Sequence, residues 1–500
     1  MADLVEEGMT LAGDPATVVT GVSLSSQRLL PGDLYAALPG ARVHGIDFAS
    51  DALEAGAVAI LTDHVGASRI LPGSPMLAGV PVLVASDPRA VLGRLAARIY
   101  GEPATAMRMI GVTGTQGKTT ATRLIESGLQ KAGLTAGVIG TVGTRVAGKD
   151  LWTSLTTPEA PDLQGLFALM REKKVGVCAM EVSSHALVLG RVDGVVFDVG
   201  VFLNLGRDHL DFHHDVADYY AAKASLFTPE RARLGLVSID DEHGRRLATE
   251  AAIPVRTFST RQEAGADWTA VDVELGPAGS TFRAIGPDTD VPVHCPLPGD
   301  FNVANTLAAV AACAEVGLPA TQVRRLGDAI GRAGGVPGRL ERVEVGQDFT
   351  VVVDYAHKPD AVEAVLRTLR PLTDGRVIVV LGAGGDRDTG KRPIMGAIAA
   401  RLADVVVVTD DNPRGEDPAA IRAAILAGAR GGTATVREVG DRRAAIQEAV
   451  GIAEAGDIVV LAGKGHESGQ EAAGVVQPFD DREVAREALL TRLRGTTGMA

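Results

Sequence analysis

The chain has 500 residues, enough for about three domains at roughly 150 residues each, and its 46% hydrophobic and 22% charged residues are ordinary globular composition. Its 62 acidic against 49 basic residues leave a formal charge of −13, which excludes a surface coated by nucleic acid. No apolar run approaches the roughly 18–20 residues that span a bilayer, so no membrane insertion is expected.

The opening MADLVEEGMT is acidic and lacks a signal-peptide pattern, and Cys178, Cys295 and Cys313 form no C-x-x-C motif. A reducing, cytoplasmic setting is expected. In the first hundred residues, short apolar runs at 34–38, 57–61 and 80–85 alternate with helical patterns and predict a small α/β unit. The segment GEPATA (101–106) reads as a linker, followed by a strand over 107–112. The next helix places Ala121, Leu124, Ile125, Leu129 and Ala132 on one face, with Gly133 as its stop. A second boundary falls at GGVPGRL (334–340). Beyond it, β-branched runs at 349–353, 377–381, 405–408 and 458–461 alternate with helical patterns, the signature of βαβ units and a mostly parallel sheet. Polar residues follow each run, where the ligand crevice of such a sheet opens. The C-terminal third is therefore expected to bind a ligand.

Residues 110–120, IGVTGTQGKTT, carry a strand into a Gly-rich loop and then a helix opened by Lys-Thr. Such a loop turns backbone N–H groups toward phosphate, and the helix N-terminus adds a positive dipole. Lys118 would reach the β/γ-phosphates and the Thr119 hydroxyl would ligate Mg²⁺. Val112 occupies the first glycine position of the strict G-x-x-x-x-G-K-[ST] pattern, yet Gly114, Gly117, Lys118 and Thr119 all follow a strand. The expectation is ATP or GTP use, with the reaction left open.

The middle region carries MEVSSH (180–185), NLGRDHLDFHH (204–214) and YYAAKASLF (219–227). Read from residue chemistry alone, Glu181 and His209 are Mg²⁺ ligands and Lys223 is a helix-surface residue. His209 and His213 stand at i, i+4, but no glutamate base lies between them as a zinc H-E-x-x-H motif requires.

TGTQGKTT, EVSSHAL, NLGRDHLDFH, the lysine of YYAAKASLF, FNVANTLAA (301–309), PGRLE (337–341), DYAHKPDA (354–361), GAGGDRDTGKRP (382–393), DDNPRGEDP (410–418) and GKGHE (463–467) occur in this order. The set resembles the Mur ligases, most closely the branch that adds diaminopimelate, and it covers essentially the whole chain. The resemblance implies an α/β protein of three domains: a small UDP-binding domain over 1–104, a central P-loop ATPase-type domain over 105–336, and a Rossmann-like amino-acid-binding domain over 337–500. It implies an ATP-dependent ligation that joins 2,6-diaminopimelate, with the meso isomer first, to the D-glutamyl γ-carboxylate of UDP-N-acetylmuramoyl-L-alanyl-D-glutamate. The expected route is an acyl phosphate, the setting is peptidoglycan precursor synthesis, and the enzyme is expected to be a monomer acting on small molecules.

By the same resemblance Gly114, Thr115, Gln116, Gly117, Lys118, Thr119 and Thr120 hold ATP phosphates, Asn302 and Asn305 lie on the adenine side, and Arg339 and Asp354 close on the nucleotide. Thr119, Glu181, His209 and a CO₂-derived carbamate on Lys223 are the implied Mg²⁺ ligands, and Lys118, Glu181, His209 and Lys223 the catalytic set. Ser26, Thr156, Thr157, Ser183 and Arg191 match positions for the UDP-muramoyl dipeptide. Arg387, Asp411, Asn412, Pro413, Arg414, Gly463 and Glu467 match the diaminopimelate site, where the planar Arg414 fork suits a carboxylate. Gln116 replaces the usual Asn, Leu189 a Gln, and Ser25 and Gln27 the Asp and Arg of a D-S-R signature. The alternatives are LL-diaminopimelate or L-lysine as the added amino acid, a folylpolyglutamate-synthetase-like ligase, and a non-catalytic nucleotide-binding scaffold.

Overall fold

Strands made almost entirely of branched apolar residues need cover on both faces, and that requirement organises the chain. The computed structural model describes residues 1–70, 79–209, 211–261 and 265–497. They build a five-stranded, an eleven-stranded and a six-stranded sheet, plus a separate two-stranded hairpin. Two compact units divide the chain: Met1–Val271 with Ala284–Val291 and Ala304–Ala329, and Asp272–Arg283 with Pro292–Val303 and Ile330–Ala500.

In the first unit, the three apolar runs predicted near the N-terminus become Asp33–Ala36, Ala59–Thr62 and Val82–Ala85, paired in parallel. Gly21–Ser23 extends one edge in parallel and Met9–Ala12 the other in antiparallel. At the centre of the large sheet, Arg108–Thr113 lies between Val177–Glu181 and Phe197–Phe202, all parallel. The helix that follows, Lys118–Lys131, buries Ala121, Leu124, Ile125 and Leu129 as the 3.6-residue spacing requires. It stops at Gly133, whose φ of 86° is costless only for glycine, and the Leu134 N–H closes back on the Leu129 carbonyl.

In the second unit, Thr350–Asp354, Ile458–Ala462, Val377–Leu381 and Val405–Val408 form a parallel core, with Thr435–Glu438 at one edge and antiparallel Glu341–Arg342 at the other. Their side chains divide into two hydrophobic clusters, one on each face of the sheet. That two-sided burial is why these strands read as continuous apolar runs rather than alternating ones.

One ion pair lies wholly inside this unit. Arg442, first residue of the helix Arg442–Ile452, donates from Nε and Nη2 to the Asp481 carboxylate at 2.8 and 2.6 Å, and from Nη2 to the Ala462 carbonyl at 3.0 Å. Both side chains are 0% exposed. Removing one member strands a buried charge, whereas removing both does not. Asp481→Ala is therefore expected to lower the opening free energy of amides in Ile458–Ala462 by about 3–5 kcal/mol in hydrogen exchange. The double change Arg442→Met with Asp481→Leu is expected to recover most of that loss.

Candidate active site

The phosphate loop leaves the carboxyl end of Arg108–Thr113, where the flanking strands also end. Gly114 and Gly117 take φ of 149° and 87°, and a Cβ at 117 would overlap Asn305 Oδ1. Glycine at 117 thus lets the asparagine from helix Asp300–Glu315 reach the loop backbone. Asn302, on the same helix, is buried and donates from Nδ2 to the Pro298 carbonyl at 2.8 Å. Thr119 and Thr120 are buried at the start of the loop's helix.

Gln116 is exposed, and its backbone is gripped on both sides by Asn204. Its N–H donates to Asn204 Oδ1 at 2.9 Å, and Asn204 Nδ2 donates to its carbonyl at 3.2 Å. Because only backbone is held, the Gln side chain at a position where Asn is usual leaves the cradle intact. Thr115 is fixed by its own Oγ1, which accepts the Gly206 N–H at 2.9 Å and meets Tyr219 Oη at 3.2 Å. Asn204 was not among the residues picked from the sequence, although it opens the NLGRDH motif.

Lys223 is the principal correction to the residue-by-residue reading. It is 1% exposed, not a surface residue, near the end of helix Val216–Ala224. Its Nζ donates to the Gly114 carbonyl at 2.9 Å, the oxygen that Lys118 Nζ also reaches at 2.8 Å. Burial, and then the Lys118 charge, push its pKa far below the ordinary lysine range. The Tyr219 ring stands 4.6 Å from Nζ, and burial raises the Tyr219 hydroxyl to about 12.

Glu181 ends its strand in a polar cluster. Its carboxylate, 1% exposed, accepts the Thr141 N–H at 2.7 Å and the Thr141 hydroxyl at 3.2 Å. Thr141 Oγ1 in turn meets Thr156 Oγ1 at 3.1 Å, and the Thr157 hydroxyl donates to the Glu181 carbonyl at 2.8 Å. Ser183 donates its N–H to Thr157 Oγ1 at 3.3 Å and caps helix Ser184–Val188 by accepting from the Ala186 N–H. Arg191 donates from Nη1 to the Thr157 carbonyl at 3.3 Å and from Nε to Glu159 at 2.8 Å. Thr156, Thr157, Ser183, Arg191 and Glu181 are thus brought together, with Thr141 and Glu159 as partners that the motifs did not single out. Ser26 lies half-buried in the turn after Gly21–Ser23.

His209 takes a left-handed φ of 54° outside any helix, so the i, i+4 spacing to His213 is not a helical pair. It packs edge-on to His185, ring centroids 4.8 Å apart. Burial lowers the pKa of His185. Among the described residues, no three His, Cys, Asp or Glu side chains are grouped to hold a metal ion. The donor chemistry nevertheless suits Mg²⁺. Glu181 is a buried carboxylate with no ion pair among the described residues, and Thr119 offers a hydroxyl. A carbamate on Lys223 would add the oxygens that an amine lacks.

In the second unit, the Asp354 carboxylate accepts the Leu340 and Ala356 N–H groups at 2.8 Å each, and burial raises its pKa against the nearby Arg339. The Arg339 guanidinium lies over the Tyr355 ring, 4.9 Å from its centroid. Asp411, Asn412 and Glu467 meet: Asn412 Nδ2 donates to Glu467 Oε2 at 2.9 Å, and a Cβ on Gly463 would crowd Asp411 Oδ2. After Pro413 the chain turns at Arg414, whose φ is 54° and whose Nη1 donates to the Gly385 carbonyl at 2.7 Å. Arg387 is exposed in the 382–390 loop. That loop is tied to Asn412 through the Gly385 N–H and to Gly415 through Asp386.

Three family descriptions match the chain: Mur ligase family, catalytic domain, over 18–100; Mur ligase middle domain over 112–313; and Mur ligase, glutamate ligase domain, over 338–465. A UDP-N-acetylmuramoyl-L-alanyl-D-glutamate–2,6-diaminopimelate ligase of Streptomyces coelicolor is 54% identical, covering 98% of this chain and 96% of its own. One of Streptomyces avermitilis is 56% identical, covering 94% and 92%. A solved structure of a ligase of that name superposes with a TM-score of 0.68 at 34% identity over 95% of each chain. Motifs, fold and whole-length similarity agree: the chain belongs to the Mur ligase family.

Proposed function

We propose that this chain is the ATP-dependent ligase that joins 2,6-diaminopimelate to the D-glutamyl γ-carboxylate of UDP-N-acetylmuramoyl-L-alanyl-D-glutamate. It acts in the cytoplasm as a monomer, and meso-diaminopimelate is its amino acid. The observation that carries this reading is the 54% identity, over nearly the whole of both chains, to a ligase of that name. Domain limits near 104 and 336 go with it, and the family matches at 18–100, 112–313 and 338–465 support them.

A carboxylate resists attack by an amine because its oxygen is a poor leaving group. ATP resolves this by transferring its γ-phosphoryl group to the γ-carboxylate, leaving ADP and an acyl phosphate. The free amine of diaminopimelate attacks that carbonyl carbon, and the tetrahedral intermediate expels phosphate and loses a proton. The loop 114–120 cradles the nucleotide phosphates, and Lys118 stabilises charge on the group in transfer. Thr119, Glu181, His209 and carbamylated Lys223 would hold Mg²⁺, which would supply charge neutralisation on the phosphates. Thr156, Thr157, Ser183 and Arg191 orient the muramoyl dipeptide, with Ser26 on the uridine side. Asn302, Asn305, Arg339 and Asp354 bind the nucleotide. Arg414 and Arg387 take the distal carboxylate of diaminopimelate, Glu467 and the Gly463 carbonyl its ammonium, and Asp411, Asn412 and Pro413 shape that loop. Much of the remaining barrier is lowered by orientation of two bound reactants.

The neutral form of Lys223 is the form that adds CO₂, and its burial beside Lys118 favours that form. The N–C bond forms as one C=O π bond of CO₂ opens, the nitrogen gives up a proton to solvent, and the resulting carbamate would offer the metal anionic oxygens in place of an amine.

Release of ADP and phosphate is expected only when ATP, the UDP-muramoyl dipeptide and diaminopimelate are all present, with the tripeptide product detected by mass. Turnover with L-lysine and none with diaminopimelate would contradict the assignment. In the variant Lys223→Ala, phosphate release is expected to fall by about 100-fold or more, the scale of a lost electrostatic group in an active site. Short carboxylic acids such as formate should restore part of it, and full activity without them would remove Lys223 from the mechanism.

A further inference from the structure

Among the buried charged groups that the proposed reaction leaves without a role, Lys464 sits nearest to the groups assigned to the incoming amino acid. Its side chain is 0% exposed. Nζ donates to Asn412 Oδ1 at 2.9 Å and to the Gly469 carbonyl at 2.7 Å. Asp411 Oδ1 stands 3.6 Å away and Glu467 Oε2 3.7 Å. One ammonium therefore ties together the 411–414 loop, the 463–467 loop and the start of the hairpin strand Gly469–Ala472.

The arrangement fixes the Asn412 amide. Its Oδ1 accepts from Lys464 and from the Glu471 N–H at 3.0 Å, so its NH₂ is left to face Glu467 Oε2 at 2.9 Å. A carboxylate can only accept, so the reversed amide would set two acceptors together and turn donors toward Lys464. Burial raises the pKa of Glu467, with Asp411 adding to the rise, while Asn412 and Lys464 counter it. Lys464 itself is pushed down by burial and pulled back chiefly by Asp411. The cluster is a chain of contacts from Lys464 through Asn412 to Glu467.

We propose that Lys464 is a positioning residue that, through Asn412, holds the Glu467 carboxylate in the orientation that receives the ammonium of the incoming amino acid. This rests on the assignment of Glu467 above. Lys464 acts through Asn412 and not on the substrate itself, so its effect is confined to the amino-acid step.

The test is a double-mutant cycle in the full-length enzyme, with KM read for diaminopimelate, ATP and the UDP-muramoyl dipeptide. Lys464→Met is expected to raise KM for diaminopimelate about 10-fold or more while KM for ATP stays within about 2-fold, as for other residues that orient a binding group. In the background Asn412→Ala, the further effect of Lys464→Met should shrink to below about 3-fold, because the route through the amide is already cut. An unchanged KM for diaminopimelate, an equal factor in both backgrounds, or a rise shared by ATP would each overturn the proposal. If Lys464→Met does not fold, Lys464→Gln enters the same cycle with the same criteria. Failure of the unaltered enzyme to use diaminopimelate would instead count against the reading of function.

Discussion

Two lysines converge on the carbonyl oxygen of Gly114, and the nucleotide half of the site depends on how that is resolved. Two ammonium ions on one oxygen repel, and one of them lies wholly out of water. Burial, and then the charge of Lys118, push the pKa of Lys223 far below the ordinary lysine range, which favours its neutral amine as the donor to that carbonyl. A neutral amine is the form that the proposed carbamylation by CO₂ requires. Glycine at 114 and 117 and the grip of Asn204 on Gln116 hold the carbonyl in place while the side chains divide the work.

The second unit handles buried charge by pairing instead of neutralisation. Arg442 is matched to Asp481, Arg392 to Glu416, and Lys464 to Asn412 with Asp411 and Glu467 nearby. The first joins the starts of two helices, Arg442–Ile452 and Asp481–Thr497, the second ties helix Lys391–Leu402 to the loop after Val405–Val408, and the third joins two loops, so these segments depend on one another. Lone removal of a partner is costly there, because the remaining charge has no water to return to.

What was legible in the sequence was local. The helix face Ala121, Leu124, Ile125 and Leu129, the Gly133 stop and the four β-branched runs follow from periodicity and turn chemistry, and the strands lie within one or two residues of their predicted limits. The phosphate loop was legible for the same reason, since strand, glycines and Lys-Thr are contiguous. Partners across long sequence separations were not. The burial of Lys223 depends on a carbonyl 109 residues earlier, and the anchoring of Glu181 on Thr141 spans 40. Lys464 reads as one more polar residue after an apolar run until Asn412, 52 residues earlier, is beside it. Ordered motifs tied to a family compensated in part, by pointing to Lys223 where residue chemistry alone placed it on the surface.

The chemical state of Lys223 is the point on which the proposed metal site turns. Carbon-13 NMR of the full-length protein equilibrated with ¹³C-bicarbonate and Mg²⁺ reads it without reference to turnover. The unaltered protein is expected to show a carbamate carbonyl resonance that is missing when Lys223 is replaced by alanine. A spectrum with no such resonance, or one that survives the replacement unchanged, would contradict the carbamylation of Lys223.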